Sequence, residues 1–151
     1  AVFDLEGDVR LTTAVTLAAS LQKDPYVEVV GTNGALRLWY TKDDIELLDA
    51  NGLVLETQHT GRRDLIENLL AAREGTEVLF SPLAGTGAFM RLVEGVMQAP
   101  APRLVAEGSA RVVDDEAGHH LVIDGVEEEL ERALRLESTF VELDSPFTRV
   151  R

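Results

Sequence analysis

Alternating apolar and polar residues fill the first third of the chain and predict a series of β-strands. In chain order the expected strands are residues 2–6, 9–20, 26–30, 35–40, 45–48 and 53–56. Turn-forming residues separate these segments, and Asn-Gly pairs that begin at Asn33 and Asn51 mark two tight hairpins. Strands joined by hairpins pair antiparallel, so the pattern predicts a β-meander.

A three-to-four-residue spacing of apolar residues replaces this alternation in the middle of the chain and predicts two helices. The apolar positions of the first helix are Leu65, Ile66, Leu69, Leu70 and Ala72. Asp64 lies at the expected start of this helix and Gly75 at its end, where these residue types favour helix boundaries. The second helix is expected to begin at Ser81-Pro82, because serine is a good N-cap and proline is tolerated at the first helical position.

Three glycines interrupt the second expected helix, and the last of them is Gly95. An interior glycine costs about 1 kcal/mol relative to alanine, so a compensating contact is expected. Helical spacing places Ala84, Ala88 and Arg91 on the same face as Gly95. We therefore predict that another element approaches this small-residue face closely.

The last third of the chain combines both patterns. Strands are expected at residues 110–113 and 120–123, around a turn at 114–118. A final helix is expected after Asp124, with three consecutive glutamates in its first turn, where negative charge opposes the helix dipole. Residues 141–151 are expected to form an extended tail.

Most of these strands precede most of the helices, which predicts an α+β fold. We expect a single domain over residues 1–151, with a largely antiparallel open sheet and helices packed on one of its faces. The other face is expected to be apolar, because neighbouring strands contribute Val27, Val29, Leu36, Leu38 and Tyr40. That face is therefore a predicted oligomer interface.

The charge and composition of the chain exclude several classes of function. Its 14 basic and 27 acidic residues give a net charge of −13, which argues against a nucleic-acid or anionic-membrane partner. The chain has no cysteine, so disulfides and thiolate metal sites are excluded. It also contains neither an apolar run long enough to span a bilayer nor a secretory signal. We therefore expect a cytoplasmic protein.

His59, Arg62 and Arg63 cluster just before the first expected helix and are the candidate substrate-binding residues. An arginine can hold a carboxylate or phosphate through two parallel hydrogen bonds. The alternative is that these side chains form surface salt bridges with the acidic body of the chain.

Two other segments could suggest a metal site or a phosphate-binding loop, but each is better explained as ordinary structure. Adjacent residues of a strand point to opposite faces, so His119 and His120 are not expected to share a metal ion. The glycine-rich segment at residues 31–34 precedes a strand and not a helix, so it is interpreted as a hairpin turn and not a phosphate loop. No metal site is predicted.

Three stretches resemble the C-terminal domain of the glucose–fructose oxidoreductase / inositol dehydrogenase family (the Gfo/Idh/MocA oxidoreductases). Residues 26–38, YVEVVGTNGALRL, are similar to a strand–turn–strand motif of that family. Residues 64–94 resemble its helix, loop and second helix, and residues 122–143 resemble the ending of one branch. The three stretches occur in the order of the family.

The resemblance implies an oxidoreductase that binds NAD or NADP on an N-terminal Rossmann domain and acts on a sugar, a cyclitol or a related polyol. The family's Gly-x-Gly-x-x-Gly and Glu-Lys-Pro motifs, and its Asp…His pair before the sheet, are absent from this sequence. We therefore expect no catalytic residue and no cofactor site in this chain, which would be inactive alone.

The resemblance implies that this chain contributes walls of the substrate pocket and an oligomer interface. The chain begins inside an expected strand and without Met, so we expect a part of a longer protein. The alternative is a free-standing, non-catalytic α+β binding or assembly module with the same architecture.

Overall fold

The computed structural model describes residues 1–102, 104–105, 108–115 and 118–148. The chain divides into two compact units, which we call unit 1 (residues 1–22 and 86–151) and unit 2 (residues 23–85). Both units contain helices and antiparallel strands, so the α+β class predicted from the sequence is confirmed.

The elements of the described residues lie close to the predicted positions. They are β1 (Val2–Leu5), β2 (Val9–Thr12), β3 (Val27–Gly31), β4 (Gly34–Trp39), β5 (Asp44–Leu48), β6 (Val54–His59), α1 (Leu65–Arg73), α2 (Gly87–Met97), β7 (Ala110–Asp115), β8 (Gly118–Ile123) and α3 (Val126–Arg135), with short 3-10 helices at Leu83–Thr86 and Pro146–Thr148. The strands form three separate sheets: β1-β2, β3-β4-β5-β6 and β7-β8.

The four-stranded sheet of unit 2 contains the last four strands of the predicted meander, with every neighbouring pair antiparallel. The first two predicted strands, β1 and β2, pair only with each other, so the expected single open sheet is divided into separate sheets. In the first hairpin of the four-stranded sheet Gly31 pairs with Gly34, so Thr32 and Asn33 form the turn and Gly34 opens β4. Gly34 has a φ of 145° and passes against β5 so closely that a Cβ atom would overlap the carbonyl oxygen of Leu48. Only glycine both adopts this φ readily and lacks the Cβ atom that would cause the overlap.

One face of this sheet is apolar, as predicted. Residues that pair directly across antiparallel strands share a face. The two apolar rows are Val27–Leu38–Ile45 and Val29–Leu36–Leu47. Val29 is 67% exposed and Leu36 is 51% exposed, so this row of the face is largely open.

The opposite face of the sheet is charged and aromatic. Its central row is Glu28–Arg37–Glu46, in which Arg37 pairs with Glu28 at 2.6 Å and with Glu46 at 3.6 Å. The next row includes Trp39 and Asp44. The two faces therefore offer different chemistry to their surroundings.

Helix α1 begins and ends where the sequence predicts. The Asp64 carboxylate accepts hydrogen bonds from the amides of Ile66 (2.7 Å) and Glu67 (3.3 Å), which makes Asp64 the N-cap. Gly75, with a φ of 75°, follows its last turn.

In unit 1 the predicted strand at residues 9–20 is wrong beyond Thr12. The β1-β2 hairpin pairs four residues of each strand, from Val2 with Thr12 to Leu5 with Val9, and β1 is too short to pair with more. Beyond Thr12 the segment joins β8 by one backbone hydrogen bond, from the Ile123 amide to the Ala18 carbonyl at 2.9 Å. β-propensity without a partner strand does not make a strand.

The close approach predicted for the small-residue face of α2 is present. A Cβ atom at Gly95 would lie 3.1 Å from Cε1 of Phe3, so the phenyl ring of β1 packs directly on the glycine backbone. The 3-10 turn Leu83–Thr86 precedes the helix, so the α-helix begins at Gly87, later than the expected start at Ser81-Pro82.

The C-terminal segment also differs from its prediction. Residues 140–144 form consecutive turns and Pro146–Thr148 a 3-10 helix, not an extended tail, and residues 149–151 lie outside the described range. Ser145 is fully buried; its amide donates to the Phe140 carbonyl at 3.0 Å, and the rings of Phe140 and Phe147 lie 5.9 Å apart. Contact between these two aromatic rings favours the compact form.

Glu127, in the first turn of α3, ties the N-terminal segment to that helix. Its Oε1 atom accepts hydrogen bonds from the Ser20 hydroxyl at 2.6 Å, from the Ser20 amide and from the Leu21 amide at 3.2 Å. These donors stabilise the charged carboxylate and lower the pKa of Glu127 from 4.5 to about 2.

We expect this tie to weaken in acid. Because the folded-state pKa of Glu127 is lowered, its stabilising contribution is complete above pH 4.5 and is lost as the pH falls towards 2. A carbon-detected NMR titration should give a midpoint near 2 for Glu127. Ser20→Ala should raise that midpoint towards 4.5, whereas Ser138→Ala should leave it unchanged, and an unchanged midpoint in Ser20→Ala would contradict the assignment.

Candidate functional site

His59, the first predicted substrate-binding residue, ends strand β6 at one end of the four-stranded sheet. It pairs across the strands with Asp44, and its Nδ1 atom lies 2.9 Å from Oδ1 of that carboxylate. This contact fixes the imidazole so that Nε2 points away from Asp44. The His59 side chain is 67% exposed, so its free edge is open to solvent or to a ligand.

Arg62, the second predicted residue, binds the same turn. Its Nε atom donates to Oδ1 of Asp43 at 2.8 Å, and its Nη2 atom donates to the carbonyl oxygen of Tyr40 at 2.7 Å. Asp43 has a φ of 59°, which this turn between β4 and β5 requires. His59 and Arg62 therefore meet at one turn, each on its own aspartate.

Arg63 points elsewhere, so the structure does not bring all three predicted residues together. Its guanidinium pairs with the carboxylate of Glu77 and lies 5.5 Å from the centre of the Phe80 ring. The hydrogen bonds from Arg63 and then from Asn68 lower the pKa of Glu77 below its ordinary value of 4.5. Arg63 thus contacts the loop that follows α1.

Asn68 holds that loop in place, although nothing in the sequence pattern singles it out. It is 1% exposed although it lies in a helix whose apolar residues are mostly exposed. Its Nδ2 atom donates to the Val78 carbonyl (3.0 Å) and to Glu77 (3.2 Å), and its Oδ1 atom accepts from the Phe80 amide (2.9 Å). All these partners lie in a loop without regular structure, so no sequence pattern indicates them.

A cluster of aromatic and cationic side chains lies on the charged face of the same sheet. The Arg37 guanidinium lies 5.1 Å from the centre of the Tyr26 ring and 5.6 Å from that of Trp39. The Lys42 ammonium lies 5.4 Å from the Trp39 ring and 2.7 Å from Asp24. A hydrogen bond from Lys42 is the main cause of the lowered pKa of Asp24. Cations already cover these rings, so the cluster stabilises the sheet edge.

Together these residues form a polar patch at the β4-β5 turn, defined by Asp43, Asp44, His59 and Arg62. It offers an oriented imidazole edge and guanidinium N–H groups, which can bind hydroxyl or carboxylate oxygens. Within the described residues, no group of three or more histidine and acidic side chains is placed to hold a metal ion. None of the described helices is long and apolar enough to cross a membrane.

Comparison of the chain with protein-family models, with curated proteins and with solved structures gives no match.

Proposed function

We propose that this chain is the C-terminal domain of an NAD(P)-dependent oxidoreductase that acts on a sugar, a cyclitol or a related polyol. In this proposal it supplies walls of the substrate pocket and the interface of a homo-oligomer, in the cytoplasm. NAD or NADP binds the N-terminal Rossmann domain of the complete protein, and this chain alone has no dehydrogenase activity.

The observation that carries the proposal is the division of the four-stranded sheet into one apolar and one polar face. The apolar face carries six aliphatic side chains in two rows, and three of them are more than half exposed: Val29 at 67%, Val27 at 53% and Leu36 at 51%. Contiguous exposed apolar surface of this kind marks an interaction site. A second copy of the chain suits it, because a two-fold axis brings identical apolar rows together.

The polar face supports the substrate role. His59 and Trp39 lie on it, opposite the apolar rows, so one sheet can face a second copy and a pocket at the same time. The segments that resemble the oxidoreductase family also coincide with structural elements: residues 26–38 span the β3-β4 hairpin, and residues 64–94 contain α1 and most of α2.

The test uses the product of the complete reading frame that contains this chain. We expect NAD(P) reduction with at least one member of a panel of sugars, cyclitols and polyols. Leu36→Glu places a charge on the apolar face and should convert the oligomer to monomer in light-scattering measurements. Thr57→Glu, an exposed position that pairs with Glu46 on the polar face, is the control and should leave assembly intact.

Two outcomes would contradict the proposal separately. Assembly without NAD(P)-dependent turnover would favour the non-catalytic binding or assembly module. An intact oligomer in Leu36→Glu would place the interface on another surface, whether or not the protein is a dehydrogenase.

A further inference from the structure

Unit 1 contains an open cavity of about 320 Å³ between strand β1 and helix α2. The residues that line it are Phe3, Asp4, Leu5, Ala88, Arg91 and Leu92. Ligand pockets in proteins begin at about 300 Å³, so this cavity admits a small organic molecule. It is separate from the polar patch, which lies in unit 2.

Small residues of α2 make room for the cavity and place one cation at its wall. Ala88 lines it directly, and a Cβ atom at Gly87 would lie 3.5 Å from Nη1 of Arg91. The Arg91 guanidinium therefore lies back along the first turn of α2, where Gly87 has no side chain. Phe3 and Leu92 supply apolar walls beside this cation.

Arg91 has no counterion within the part of the chain that the structure describes, although the chain has an excess of acid. Seven other cations have a carboxylate partner: Arg10, Arg37, Lys42, Arg62, Arg63, Arg111 and Arg132. Asp4 is the one acidic residue among the lining residues, and it is already bound by Arg10 at 2.7 Å. Helix α2 has no acidic residue in its first turn that could reach the guanidinium.

We infer that this cavity binds a small monocarboxylate with an apolar body, whose carboxylate pairs with Arg91. A guanidinium binds a carboxylate through two parallel N–H···O bonds. The apolar body of the ligand then lies against Phe3 and Leu92. A phosphoryl group suits the cavity less well, because its second negative charge would lie beside Asp4 and would have no second unpaired cation among the lining residues.

The test is an amide NMR titration of the chain with benzoate, and with benzamide as the uncharged molecule of the same shape. We expect saturable shifts at Phe3, Ala88 and Leu92 with benzoate. Loss of one charge-assisted hydrogen-bonded pair lowers the affinity by roughly tenfold or more. Benzamide should therefore bind at least that much more weakly than benzoate.

Three variants make the test specific. Arg91→Gln should weaken benzoate binding about tenfold or more, and Ala88→Leu should weaken it by filling the cavity while keeping the arginine. Arg135→Gln, at a basic residue in the last turn of α3, is the matched control and should bind benzoate as the unchanged chain does. Equal binding of benzamide and benzoate, or unchanged binding by Arg91→Gln, would overturn the inference. Neither result depends on NAD(P) or on oligomer formation.

Discussion

Gly34→Ala is expected to lower the free energy of unfolding of the four-stranded sheet by about 3 kcal/mol or more, because the position combines an unfavourable φ with a backbone overlap. Gly34 has a φ of 145°, and the added methyl group would overlap the Leu48 carbonyl oxygen and lie 3.2 Å from its carbon. The carbonyl belongs to the backbone of β5, so relief requires β4 and β5 to separate.

Urea unfolding monitored by tryptophan fluorescence measures this effect, since the single tryptophan, Trp39, lies in β4. Gly52→Ala is the matched control. Gly52 also has a positive φ, 82°, but no atom lies within 4 Å of its Cβ position, so the expected cost is that of the backbone conformation alone, about 1–2 kcal/mol. Equal losses in the two variants would show that the close approach to Leu48 does not contribute.

Two of the three hairpins of this sheet could be predicted because turn chemistry is local. The sequence around Asn33 and Asn51 indicates both, and the apolar alternation indicates the face of the sheet that carries Val29 and Leu36. The overlap at Leu48 could not be predicted, since it depends on how closely a strand that follows later in the chain approaches Gly34. Local patterns identify elements, whereas distances between elements depend on the packed structure.

The same distinction explains the result for the candidate site. Arg62 and Arg63 are adjacent in the sequence, which predicts one binding group with His59. In the structure the side chain of Arg62 reaches back to Asp43, whereas that of Arg63 reaches forward to Glu77. Neighbouring residues outside regular structure have no fixed relative direction, so sequence proximity does not determine which of the three side chains lie together: His59 and Arg62 meet at one turn, and Arg63 lies elsewhere.

Asn68→Ala is expected to destabilise the loop at residues 76–80 by about 2–3 kcal/mol, because buried polar groups lose their partners. Without the amide, the Phe80 N–H and the Val78 carbonyl lose hydrogen bonds of 2.9 and 3.0 Å. Hydrogen exchange at the Phe80 amide is the direct measurement, and we expect it to accelerate by roughly the factor of 30 or more that this free energy implies.

Asn68→Asp separates the two roles of the side chain. An aspartate keeps an oxygen to accept from Phe80 but replaces the Nδ2 donor with an oxygen that faces Val78 and Glu77, so at neutral pH it should destabilise the loop at least as much as alanine does. Asn51→Ala is the control: Asn51 is exposed and donates only one long side-chain bond, of 3.4 Å, so its loss should stay within about 0.5 kcal/mol. If Asn68→Asp retained the protection of the Phe80 amide, the acceptor alone would hold the loop, and the contacts of Nδ2 would be incidental.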